Sequence, residues 1–319
     1  VIFNQMSPML YPRMKKLLEE ELSVKVLGYV PKVEDCVIES RHLGLVLPEE
    51  IPELKNRLGK LSEILEKTLD IDGILKLAGK APELSIPEFS DLIRKDSAFG
   101  YRSSEKVRIG VADDEAFCFF YADNLSLLEQ MGAELVHFSP IHDTELPGDL
   151  DGLLLCGGYP ELNGKALEEN QEMCSSIRKA VEGGMPCLAE CGGFMYLHQE
   201  MEDMEGNFRK VCGVIPGRSF RTPKLTRFGY ITLTEKKDSG LGEIPAHEFH
   251  YFDSTDCGTD FHASKPASTR GWDCMHYEGR LMAGFPHLYY YGNPKVPVHF
   301  LKNALEYKKE RRQKKDAEI

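Results

Sequence analysis

At 319 residues, with 42% hydrophobic and 28% charged positions, the chain has the balance of a globular protein with apolar material enough for two ordinary domains. Its net charge of −12 excludes a broad nucleic-acid surface, which needs clustered Lys and Arg to displace counterions, and no apolar run approaches the length of a membrane span. Nine cysteines, an odd set without a CxxC pair, argue against a disulfide framework or structural zinc and make the cytoplasm the expected compartment.

In chain order, residues 1–4 read as a buried strand entered midway. Met14, Leu17, Leu18 and Leu22 recur at helical spacing and predict a helix over 11–22, and a strand over 24–30 ends at Pro31. Strand, helix, strand is the order of a parallel α/β unit. A further helix is expected over 48–70, and the Gly and Pro that thicken over 73–87 read as a linker. A second α/β series then begins, with strands at 107–112, 135–138, 152–155 and 185–189 and helices at 124–131, 167–182 and 194–199. The expected domains are 1–100 and 101–319. Beyond residue 199 the alternation is lost; strands are expected at 228–234, 248–252 and 280–285, with illegible connections. The basic run 308–315 reads as a solvated helix end.

The chemistry concentrates at Ala189-Glu190-Cys191-Gly192-Gly193, where a short apolar strand turns into a helix. A nucleophile on so tight an elbow needs tiny neighbours two residues to either side, and Ala189 and Gly193 meet that need. The helix N-terminus favours the thiolate of Cys191, and the Gly192 amide is placed to hold an oxyanion. The alternative for any intracellular cysteine is a core position, and Cys187 on the same strand is read that way.

Gly157-Gly158 closes the apolar strand 152–155, and glycines there let backbone amides approach a ligand; taken alone, the pair is turn punctuation. A cysteine nucleophile needs a base, and ten histidines compete for the part. His287 is the best placed, late in the chain after an apolar stretch, with a satisfied surface or core histidine as the alternative. His247-Glu248-Phe249-His250-Tyr251 lacks the spacing of a zinc protease, and on a strand His247 and His250 face opposite sides, so a substrate-lining or structural strand is preferred to a metal site. Arg41 and His42 fit either a carboxylate-binding role or a solvated loop.

Together these residues resemble a family. Leu27 to Pro31, Arg41 to Leu45, Gly157 to Glu161, Ala189 to Leu197, Phe228 to Tyr230, His247 to Tyr251 and the His287 segment stand in the order of the cobyrinic acid a,c-diamide synthases, close relatives of the nickel-sirohydrochlorin a,c-diamide synthases. The resemblance covers nearly the whole chain. It implies a partial P-loop domain similar to dethiobiotin synthetase, followed by a flavodoxin-like class I glutamine amidotransferase domain. It also implies that Cys191 and His287 are nucleophile and activating histidine, that Gly157, Gly158 and Gly192 serve glutamine or its oxyanion, and that Arg41, His42, His247, His250 and Tyr251 are substrate-binding candidates. The implied reaction uses ATP and Mg2+ to activate the a and c carboxylates of a tetrapyrrole and ammonia from glutamine to amidate them. A free-standing glutaminase and a noncatalytic tetrapyrrole-binding module are the rival readings. The oligomeric state stays open, a homodimer included.

Two departures stand out. Most class I amidotransferases carry a glutamate two residues after the histidine, where this chain has Tyr289. No G-x-x-x-x-G-K-[ST] phosphate loop occurs, and Gly79-Lys80 lacks its spacing, so the chain reads as missing the front of the ATP-binding domain.

Overall fold

Short apolar runs build a parallel sheet whose strand edges carry the motifs above. In the computed structural model, which describes residues 1–38, 46, 48–85, 105–237 and 239–317, these runs are β1 (Val107–Ala112), β2 (Ala133–Phe138), β3 (Gly152–Leu155) and β4 (Cys187–Glu190). Every residue of β3 and β4 is buried, as expected of parallel strands covered on both faces. The chain then passes through β5 (His198–Glu202), β6 (Phe208–Lys210), β7 (Ile215–Arg221), β8 (Arg227–Glu235), β9 (Glu243–His250), β10 (Phe252–Ser254), β11 (Phe261–Ser264) and β12 (Gly271–Cys274). It returns as β13 (His276–Glu278), β14 (Leu281–Gly284) and β15 (His287–Leu288).

The main sheet has the order β13-β14-β4-β3-β1-β2, in which only β13 runs antiparallel. Without β13 this is the flavodoxin-like order, with β14 as fifth strand. The intervening residues form two smaller sheets, β10-β7-β5-β6 and β12-β11-β8-β9-β15. Successive side chains point to opposite faces and serve two cores. Leu154 and Leu188 pack with Leu127, Leu128, Val298 and Leu301 on one face, whereas Leu153, Leu155, Cys187 and Ala189 pack with Met173, Ile177, Phe194 and Tyr196 on the other.

Several elements differ from the sequence expectation, each for a local reason. The helix expected over 167–182 is two, Gly164–Glu169 and Gln171–Glu182, because the Asn170 side chain caps the second and donates to the Pro140 and Asp143 carbonyls. The helix expected to reach 199 is only Gly192–Tyr196; the Leu197 carbonyl is taken by the amides of Val214 and Ile215, and β5 begins. The basic tail is helical within Lys295–Ala317, but one face of it is docked and not merely solvated. There Arg311 and Lys308 reach the fully buried carboxylate of Asp151 at 2.9 and 3.4 Å, and Asp151 also accepts from the Arg108 amide.

The chain divides into two compact units, Val1–Pro87 and Glu88–Ile319. In the first, residues 1–4 and 24–30 form no named strand: a single parallel bridge joins Phe3 to Tyr29 and an antiparallel one joins Gly28 to Leu69. Gly28 has φ 126°, and a side chain there would stand 2.3 Å from the Thr68 carbonyl oxygen. Helices cover Tyr11–Glu21, Leu54–Thr68 and Ile71–Ala78. The last lies where the linker was expected. Asp70 caps it by accepting from the Gly73 amide at 2.8 Å, and that cap outweighs one interior glycine. Arg41 and His42 lie outside the described residues. Among the described residues no helix is long and apolar enough to cross a membrane.

Removing Asp151 takes the buried carboxylate from Lys308 and leaves Arg311 with its exposed partner Asp149; breaking a buried pair typically costs up to about 3–5 kcal/mol. Asp151→Ala is therefore expected to lower the urea midpoint of unfolding strongly, and an unchanged midpoint would show that the C-terminal helix is not anchored there.

Candidate active site

The carboxyl ends of β3, β4 and β14 bring three chain segments together, at the edge where parallel α/β sheets gather ligands. Cys191 follows β4 directly. Its backbone sits at φ 47°, ψ −104°, a conformation costly for any side-chain-bearing residue, and its amide is tied to the Gly284 carbonyl at 2.8 Å. The turn exists only because its neighbours are small. A side chain at Gly193 would stand 2.0 Å from the Leu155 carbonyl oxygen, and one at Gly192 would meet Pro160 at 2.9 Å and the Gly158 amide nitrogen at 3.1 Å. The Gly158 amide nitrogen thus lies against the Gly192 backbone, beside the Cys191 turn.

His287 comes from β15, which pairs antiparallel with β9 so that His287 lies opposite His247. A side chain at Gly157 would strike His287 Cε1 at 2.6 Å and touch Cys191 Cβ at 3.5 Å, so the bare Gly157 backbone is what lets ring and thiol meet. The edge of Phe119 closes another side of the imidazole, with ring centroids 4.9 Å apart. Both residues are buried, Cys191 at 9% exposure and His287 at 5%.

Charge, not shape alone, defines this pair. Burial opposes a charged imidazole at His287, yet the negative charge and hydrogen bond of Cys191, helped by Glu190, overcome it and push the ring up to about 10. Cys187, one helical turn's worth of sequence earlier and 1% exposed, has only burial acting on it and is pushed up to about 12. It is the core cysteine that the sequence implied. Cys156 at the end of β3 is likewise held well above the ordinary thiol range by burial and by Glu190.

Glu190 was not singled out from the sequence. It is buried beside Cys191, its Oε2 stands 3.7 Å from His287 Nδ1, and burial raises its own pKa. The signal that finds it is a carboxylate at the end of a strand that is otherwise apolar and covered on both faces. Also unforeseen is the aromatic rim: Phe119, Tyr121 and Tyr289 form a run of edge contacts leading outward from His287. Tyr230 and Phe228, exposed by 76% and 59%, lie against His247.

The structure separates the two histidines of the β9 motif. His247 is half-buried on the face toward His287, which together with burial lowers its pKa. His250 is 2% exposed, stacks on Phe285 at 4.1 Å and donates from Nδ1 to the Phe252 carbonyl at 2.6 Å. It offers no surface to a substrate. Tyr251 is half-buried beyond it. Among the described residues no group of three or more His, Cys, Asp or Glu is arranged to hold a metal ion.

A flavodoxin-like sheet with an elbow cysteine and a buried histidine at its carboxyl edge defines an α/β protein with a thiol and an imidazole paired at its ligand-gathering edge. The model of the CobB/CobQ-like glutamine amidotransferase domain matches residues 108–294. The cobyrinate a,c-diamide synthase of Caldanaerobacter subterraneus subsp. tengcongensis is 37% identical over 298 residues, covering 91% of this chain and 64% of the relative. The enzyme of the same name from Clostridium tetani is 36% identical over 318 residues, covering 96% and 67%. A solved glutamine amidotransferase structure covers 61% of this chain and 98% of its own at 19% identity, with a TM-score of 0.45. The chain belongs to the CobB/CobQ-like glutamine amidotransferase family. It spans about two thirds of the length of the curated relatives it matches.

Because the Cys191 charge is what holds the proton on His287, nitrogen-labelled histidine NMR is expected to place the ring's titration near pH 10, and Cys191→Ser to move it down. The sign follows from a folded value above the ordinary 6.5: the stabilisation from the protonated ring is complete below about 6.5 and is lost as the pH rises through about 10. A His287 midpoint indifferent to Cys191→Ser would show that the two groups do not form a charge pair.

Proposed function

We propose that this chain is the glutamine-hydrolysing part of an amide-forming ligase, with Cys191 as the nucleophile and His287 as its proton partner. One observation carries the reading: a cysteine strained into a tight elbow at φ 47° lies against a buried imidazole, with the bare Gly157 backbone beside them. The Cys191 thiolate attacks the side-chain amide carbon of glutamine, and the backbone amides of Gly192 and Gly158 receive the developing oxyanion. His287 then gives its proton to the departing ammonia, which leaves a thioester on Cys191. The ring, now neutral, takes a proton from the water that cleaves the thioester and releases glutamate, restoring the starting pair. The Gly157 and Gly158 turn serves the amide by keeping its approach free of side chains.

The acceptor we propose is a tetrapyrrole carboxylate, the a and c acids of cobyrinic acid. The support is the name cobyrinate a,c-diamide synthase printed for relatives at 36–37% identity, together with the motif order in the sequence. That name favours cobyrinate over nickel-sirohydrochlorin. His247 and the aromatic rim are the half-exposed groups nearest His287, so they, rather than His250, are the substrate-facing candidates of the β9 motif.

ATP and Mg2+ remain a proposal that rests on the resemblance, and Gly79-Lys80 does not supply a phosphate site for them. Gly79-Lys80 lies at the carboxyl end of the helix Ile71–Ala78, where the dipole is negative, whereas a phosphate cradle needs a helix N-terminus. No step is therefore assigned to ATP here. A partial P-loop domain in the first unit is a proposal that rests on the resemblance and on the relatives' greater length.

Ammonia release from glutamine, measured with ATP and cobyrinic acid present, tests the reading. Cys191→Ala is expected to lower the rate by at least about 10³-fold, as loss of a nucleophile does in comparable hydrolases. A variant as fast as the unaltered chain, or an unaltered chain that releases none, would contradict it.

A further inference from the structure

The position that would ordinarily supply a carboxylate to the histidine does not do so. Tyr289, two residues after His287, is 42% exposed and donates its hydroxyl to Asp123 Oδ2 at 3.3 Å, away from the ring. A carboxylate nevertheless reaches His287, and it comes from the other catalytic segment. Glu190 is 5% exposed, with Oε2 at 3.7 Å from His287 Nδ1, and among the described residues Oε1 has no hydrogen-bond partner. A buried carboxylate with an idle oxygen is costly to keep, and replacement by an apolar residue of like size would ordinarily relieve that cost.

We propose that Glu190 is the positioning residue of the pair, a carboxylate on β4 that holds the His287 ring in its orientation and steadies its charge in place of an acid downstream of the histidine. This inference rests on the glutaminase reading of Cys191 and His287. The chain topology makes it economical, because Glu190 and Cys191 are consecutive: the rigid end of β4 aims the thiol from one residue and fixes the histidine from the next. Alternation along β4 sends Glu190 to the face of Leu188, opposite Ala189 and Cys191, so thiol and carboxylate approach the ring from different sides.

The surroundings suit the role. The groups that face Glu190 from the packed elements are His287, the Leu288 backbone amide, Cys156, Tyr121 and Tyr290, and His287 is the one cation among them. Cys156 and Tyr290 are each pushed upward by burial and by Glu190, which keeps both neutral and leaves the carboxylate to the imidazole. At 3.7 Å the pair is an ion-pair contact longer than a hydrogen bond, the looseness common before substrate is bound.

The test is Glu190→Gln, which keeps shape and removes charge, read in two ways on the full chain. Kinetically, kcat for ammonia release is expected to fall by about 10²–10⁴-fold, the scale seen when the orienting acid of a catalytic triad becomes its amide, with KM for glutamine within about threefold. By nitrogen-labelled histidine NMR, the His287 titration is expected to move down from about 10 by a resolvable amount. A fall in kcat with the His287 midpoint unmoved would overturn the proposal in favour of a packing role. Unchanged kcat and midpoint would overturn it outright. If the unaltered chain releases no ammonia, the glutaminase reading fails, while the NMR comparison still shows whether Glu190 holds the ring.

Discussion

The forced turn at Cys191 is the constraint on which the rest of this site depends. A residue with a side chain at φ 47° costs roughly 1–3 kcal/mol and persists only where the surroundings leave no alternative. Here Gly193 is pressed against the Leu155 carbonyl, Gly192 against Pro160, and the Cys191 amide is held by Gly284. Strand β3 contributes the first of these contacts, the Pro160 turn that follows β3 the second, and β14 the third. The geometry of the thiol is thus set by two neighbouring strands and a turn at once, and relaxing it would require moving the core.

Burial of the thiol beside the imidazole follows from that turn. The pair explains why the glycines that line it matter: a single methyl group at Gly157 would push the ring from the thiol. Between β4 and β13 the chain makes a long excursion through β5 to β12. Those strands build two small sheets, and β9 of one of them pairs with β15, which directly follows β14 and carries His287 at the sheet edge.

Much of this was legible in the sequence where the determining contacts are local. The elbow at Cys191 is written in consecutive small residues, and the parallel strands in short runs covered on both faces. His287 was only the best of ten histidines, because its pairing with Cys191 is made by tertiary structure, and it was the family resemblance that singled it out. Glu190 was passed over although it adjoins the nucleophile: a charge beside a turn reads as solvated until the strand is seen to be enclosed. The β9 motif lacks a metal spacing, and period-two alternation alone could not tell which histidine faces the site. The helix Ile71–Ala78 was missed because Gly73 suggested a linker, whereas the Asp70 cap decided the matter. The anchoring of the C-terminal helix depends on Asp151, far away in sequence, and no local pattern announces it.

The central claim is that Cys191 is set apart by its place on the elbow beside the buried His287. Cys187 and Cys274 are pushed up to about 12 and Cys257 to about 11, chiefly by burial, so none of them supplies thiolate near neutrality. The most direct measurement is peptide mapping by mass spectrometry after treatment at neutral pH with a chloroketone analogue of glutamine. The account predicts a single adduct, on Cys191, that is suppressed by excess glutamine. An adduct confined to other cysteines, or labelling of Cys191 that glutamine leaves unaffected, would contradict it.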